Sequence, residues 1–139
     1  MYSTILLAID GSKNSLRATE EAVKLASLQE NVVITVVHAL DISQSKYDVL
    51  HAQGKADIEL ARRKKFASIE EYLQSNNIAY QLFFLHGEPG PTIVEYANQN
   101  SFDLLVIGSR GLNSLQEMVL GSVSHKVIKR VKCPVLVVK

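Results

Sequence analysis

The chain has a single cysteine, Cys133, so no disulfide can form within it, and a reducing compartment is compatible with that count. It has no apolar run near the roughly 20 residues that cross a bilayer. The first run, Ile5 to Ile9, ends at Asp10 and follows no basic patch. It is too short for the core of a secretory signal, and the expected compartment is the cytoplasm. Excess charge is missing as well. The formal net charge of +1 supplies no general attraction to nucleic acid or to an acidic membrane. Two nucleotide motifs are absent, Gly-x4-Gly-Lys-Ser/Thr and Gly-x-Gly-x-x-Gly. Their absence removes the common NTPase phosphate loop and leaves a dinucleotide site a poor reading. His51 and His125 have no His or Cys at metal-like spacing.

What is present fits one ordinary domain over residues 1–139. At this length roughly 68% of the unfolded chain's surface can be buried, enough for a core without staples. Four short apolar runs read as strands covered on both faces: Ile5–Ile9, Val32–Ala39, Leu104–Ile107 and Val135–Val138. Each is continuous rather than alternating, as a parallel sheet under helices requires. A fifth, Ile78–His86, carries Gln81 and is expected nearer an edge.

Between the strands lie stretches with helical spacing. Ser12–Leu28 presents Leu16, Ala18, Ala22, Val23, Leu25 and Ala26, with Ser12 or Ser15 as N-cap. One long helix is expected over Ala56–Ser75, with Ile58, Ala61, Phe66, Ile69 and Leu73 near helical spacing. Pro91–Asn100 reads as a short helix with Pro91 in its first turn. Gly121–Val131 reads as the last, with Val123, Val127, Ile128 and Val131 apolar. Asp41–Lys55 is a long connection. The resulting order, β-α-β-α-β-α-β-α-β, implies right-handed crossovers and a parallel sheet with helices on both faces. Ligands of such sheets bind outside the carboxyl ends of the strands, where strand order reverses.

The residues with chemical interest cluster late in the chain. Gly108-Ser109-Arg110-Gly111 follows the third of the four covered runs, and Gly121-Ser122 opens the last helix after nine further residues. A glycine at Gly108 is expected to admit a ligand close to the backbone and to allow positive φ. Ser122 and Ser124 add hydroxyls at a helix terminus whose free N–H groups and dipole favour phosphate. Two unrelated turns would give the same spacing, and Asp10-Gly11-Ser12 is equally a turn with a helix cap. His38 and His86 end apolar strands and suit hydrogen-bonded histidines at the core's edge. Arg62-Arg63-Lys64-Lys65 circles a helix turn, as a solvated face does. Lys126, Lys129, Arg130 and Lys132 suit the negative end of the last helix dipole. Cys133, before Pro134 at a strand's start, is expected to be buried and inert.

Taken together, these segments resemble the universal stress protein family, in particular its ATP-binding branch. That branch carries Gly-x2-Gly-x9-Gly-Ser/Thr, matched here by Gly108, Gly111, Gly121 and Ser122. The resemblance extends over the whole chain, through Ile5–Ser12, Val37-His38-Ala39, Gly87-Glu88-Pro89 and Cys133–Val138. It implies a five-stranded parallel sheet in the order 3-2-1-4-5. It also implies roles. Asp10 would stand by the ribose or a metal-bound water, and Ala8 would line the pocket. The backbone of Ala39 would meet adenine, and Ile107 and Gly108 would border the nucleoside. Arg110, Gly111, Gly121, Ser122, Val123 and Ser124 would surround the phosphates. ATP, ADP or AMP is then the expected ligand, with Mg²⁺ or Mn²⁺ held mainly by phosphate oxygens.

The last strand, an edge in that order, is expected to pair with its counterpart in a homodimer. No base–nucleophile pair accompanies the loop. The reading is a cytoplasmic ATP-binding stress or regulatory protein with an unidentified protein partner. The rivals are a slow ATPase or self-phosphorylating enzyme on the same site, and an interaction module with a vestigial site.

Overall fold

The computed structural model describes residues 2–41, 46, 49–50, 53–109 and 121–139. Five strands form one parallel sheet: β1 (Thr4–Ala8), β2 (Val33–Leu40), β3 (Ala79–His86), β4 (Leu104–Gly108) and β5 (Val135–Val138). Their order is β3-β2-β1-β4-β5, as the resemblance implies. Helices fully within the described residues are α1 (Lys13–Ala26), α2 (Lys55–Lys64), α3 (Ala67–Ser75), α4 (Pro89–Gln99) and α5 (Ser122–Arg130).

The two-residue period of the strands divides the core into two layers. Ile5, Leu7, Ile9, Ile34, Val36 and Val106 pack under α1 and α3, with Ala18, Ala22, Phe66, Ile69 and Leu73. Leu6, Ala8, Val37, Ala39, Leu105 and Ile107 face the other way, against Ile93 and Ala97 of α4 and Val127 of α5. β4 is buried along its whole length, whereas β5 is half-buried throughout and β3 exposes Ala79, Gln81 and Phe83. The two outer strands are thus the edges.

The structure differs from the sequence expectations in four respects. The long helix is two, because the backbone breaks at Lys65–Phe66. There Phe66 N–H bonds to Arg63 O, and the Phe66 ring, 2% exposed, turns into the core beside His38 and Phe84. None of the described side chains of α2 is buried, and Ala61 is exposed. An ion pair from Arg63 to Glu70, which also accepts from the Tyr80 hydroxyl, ties α2 to α3 and β3.

Next, α4 begins at Pro89, so Pro91 occupies its third position. Neither proline loses a bond there, since first-turn N–H groups have no partner within the helix. Third, Leu16 and Ile128 are exposed. Each stands one residue, or about 100°, from a buried line, Ser15–Thr19–Val23 and Ser124–Val127 respectively. Last, Cys133 is half-buried rather than enclosed, with burial pushing its thiol pKa up.

Candidate functional site

β1 lies between β2 and β4, and the helices that follow β1 and β4 cover opposite faces. The connections therefore diverge at the carboxyl ends of β1 and β4, which is the switch point where open parallel sheets keep their ligand crevice.

One wall is the turn from β1 into α1. Gly11 has φ of 85°, a conformation that favours glycine. Asp10 Oδ1 accepts from Ser12 N–H at 2.9 Å and from the Ser15 hydroxyl at 2.7 Å. The Ser15 hydroxyl oxygen in turn accepts from Asp10 N–H at 2.8 Å, and Ser12 Oγ caps α1 by accepting from Ser15 N–H. The turn-and-cap arrangement is thus realised, and it fixes the direction of the Asp10 carboxylate just past the carboxyl end of β1. His38 Nδ1 lies 2.9 Å from Ile9 O, which accepts its proton and steadies the same turn.

The other wall joins β4 to α5. Gly108 does not have the positive φ expected of it; the described glycines with positive φ are Gly11, Gly54 and Gly87. Its requirement is steric instead. A Cβ at Gly108 would lie 2.8 Å from Asn14 Cβ and 3.2 Å from the Asn14 backbone. Ser109 is a junction: its N–H donates to Val138 O, its carbonyl accepts from Gly121 N–H at 2.8 Å, and its hydroxyl accepts from Asn14 Nδ2. Ser124, 3% exposed, donates its hydroxyl to Gly108 O, so this proton serves the strand rather than a phosphate.

Gly121 is the N-cap of α5 with no side-chain cap, and the first helical bond runs from His125 N–H to Gly121 O. The N–H groups of Ser122, Val123 and Ser124 precede that bond, at the positive end of the dipole. Missing side-chain caps also occur at α2, α3 and α4. What distinguishes α5 is its attachment to the carboxyl end of β4.

Ala8, Ala39 and Ile107 belong to one apolar cluster, and all three are buried. Their side chains are small or enclosed. β2 pairs with β1 only as far as Val37 and continues through His38, Ala39 and Leu40. Its overhang carries Ala39 past the end of β1. Ser122 is exposed and Val123 half-buried. Arg110 and Gly111 lie outside the described residues.

The sequence reading left Asn14 and Ser109 out of the site and treated Ser15 only as a cap. A signal for the helix pair was available. Asn14 and Ser15 stand on the line continued by Ala18, Thr19, Ala22 and Val23, a polar start to a buried face. Among the described residues, no group of three His, Cys, Asp or Glu side chains is placed to hold a metal. No described helix is long and apolar enough to cross a membrane. The N–H groups without a helical partner at the start of α5 and the exposed Ser122 hydroxyl suit the binding of an anion.

A sequence profile described as the universal stress protein family matches residues 1–139. The universal stress protein YxiE of Bacillus subtilis is 31% identical, with all of both chains covered. Among solved structures, hypothetical protein MJ0577 superposes with a TM-score of 0.83 at 28% identity, covering 100% of this chain and 96% of that one. A universal stress protein in complex with cAMP superposes at 0.70 with 25% identity, covering 99% and 97%. With the profile spanning the chain and a curated relative matched from end to end, this protein belongs to the universal stress protein family.

Proposed function

We propose that this member of the family is a cytoplasmic regulatory protein of the stress response that binds ATP, ADP or AMP at the carboxyl ends of β1, β2 and β4. The observation that carries the reading is the join between β4 and α5. Gly121 N–H to Ser109 O and Ser124 to Gly108 O fix a helix N-terminus against the end of β4, at the switch point. Phosphates fit the N–H groups at Ser122, Val123 and Ser124, with Arg110 and Gly111 completing the loop. Adenine fits the backbone of Ala39, with Ala8 and Ile107 as the apolar floor and Gly108 beside the nucleoside. The cAMP held by the relative at 25% identity supports an adenine nucleotide as the class of ligand.

A carboxylate near phosphates repels them unless it meets a ribose hydroxyl or a cation. Mg²⁺ or Mn²⁺, carried mostly by phosphate oxygens and water, is therefore part of the proposal. The β5 edge adds a second element. Its bonds to β4 use the carbonyls of Pro134 and Val138, so the two-residue period turns the Val135 and Val137 amides outward. A two-fold partner offering its own Val135–Val138 would satisfy both edges.

Mass spectrometry of nucleotide released from freshly purified protein, followed by calorimetric titration, tests the reading. Bound adenine nucleotide and tighter ATP binding in magnesium than in chelator are expected. An empty protein that takes up no ATP would refute it, and product formed in a single-turnover assay would assign turnover to the same site.

A further inference from the structure

Asn14 is a polar side chain on the line of α1 that packs on the sheet. It is 7% exposed and is followed at four-residue intervals by Ala18, Ala22 and Ala26, all core residues. Burying an amide is tolerable only if its ends are bonded. Here Oδ1 accepts from Arg17 Nη1 at 3.3 Å, one turn along the same helix. Nδ2 donates to Ser109 Oγ at 3.4 Å, across to the residue that leaves β4. The same side chain touches Gly108 from the other direction. Its Cβ stands 2.8 Å from where a Gly108 Cβ would be, so only glycine allows this approach of α1 to β4.

We infer that Asn14 is a positioning residue of the nucleotide site, setting the separation of the crevice's two walls. Steric contact at Gly108 fixes how closely α1 approaches, and the bond to Ser109 fixes the start of the phosphate-binding segment relative to Asp10. Ser109 passes that placement on, since its carbonyl holds Gly121 N–H and its amide holds Val138 O. The inference rests on the nucleotide reading above, but the failure of each has its own signature.

A double-mutant cycle on ATP affinity tests it, with Asn14→Ala, Ser109→Ala and the pair together, and thermal midpoints recorded alongside. Because Asn14 acts through Ser109, either single change should weaken ATP about fivefold and the double variant no further. A residue serving only the fold would lower the midpoint and leave affinity at the parent's value. Parent-like affinity in Asn14→Ala, or losses that multiply in the double variant, would overturn the inference. Should Asn14→Ala fail to fold, Ser109→Ala carries the test alone, and parent-like affinity there overturns it. A parent chain that binds no ATP overturns the nucleotide reading itself, before any variant is compared.

Discussion

The two ends of the sheet are built differently. At the amino end, Asp103 Oδ2 accepts from Ser3 N–H, Thr4 N–H and the Thr4 hydroxyl, tying the start of β1 to the approach to β4. Val33 N–H donates to Ser3 O, Asp103 N–H to Thr4 O and Leu105 N–H to Pro134 O, while Gln29 reaches Tyr2 O. These groups satisfy one another within the chain. At the carboxyl end the described bonds instead tie strand ends to turns and to the start of a helix. α5 begins on a glycine cap, β2 overhangs β1, and Asp10 is held by Ser12 and Ser15. The amino end carries helix-to-strand connections and the carboxyl end strand-to-helix ones, and under the proposed function only the carboxyl end meets the ligand. Local composition does not separate them; the direction of the strands does.

Substitutions should keep the two ends apart. The largest effect is expected from Gly108→Val, which drives a branched side chain into Asn14. Overpacking of this kind costs about 1–3 kcal/mol, so denaturant unfolding should show that loss and ATP affinity should fall with it. Loss of affinity at unchanged stability would mean that Gly108 serves the ligand directly.

Val137→Pro removes an outward amide from the β5 edge while leaving the bonds to β4 in place. Light scattering should show a dimer for the parent and a monomer for the variant. A monomeric parent at tens of micromolar would remove β5 from the proposal.

Ser122→Ala removes one exposed hydroxyl beside the α5 terminus. A weakening of ATP binding by about 1.5 kcal/mol is expected for a bond to charged phosphate, with the thermal midpoint unchanged. Gly121→Val, at the same terminus, should weaken ATP by crowding; undiminished affinity in both variants would mean that the phosphates lie elsewhere.

The smallest effect belongs to the amino end. Backbone bonds from Thr4 and Ser3 hold the Asp103 carboxyl below its ordinary value of 3.8. A group depressed in the folded state contributes fully above its unfolded pKa, and that contribution is lost as pH falls through the lower folded one. Stability of the parent should therefore decline at the acid end of the carboxylate range, and Asp103→Asn should flatten the decline while leaving ATP affinity at pH 7 unchanged. An identical acid limb in both proteins would detach Asp103 from stability.

Much of this was legible in the residues. Continuous runs such as Leu104–Ile107 mark strands covered on both faces because only a doubly layered parallel sheet can bury every residue of a run. Gln81 marked β3 as an edge for the converse reason. The glycines and serines after β4 matched the motif of the family to which the chain belongs. The break at Phe66 was not legible, because Ala56–Ser75 keeps helical spacing throughout. The break is made by a ring that packs on His38 and Phe84, residues far away in the chain.

The sequence by itself determined the strand runs, the alternation with helices and the positions of the glycines, since each follows from local period and from which residues turns and helix ends admit. Tertiary structure alone decided what those residues touch. The approach of α1 to Gly108 was not legible, and Asn14 and Ser109, ninety-five positions apart, had no visible relation. Contacts between remote segments depend on how two layers dock, and no local pattern carries that distance.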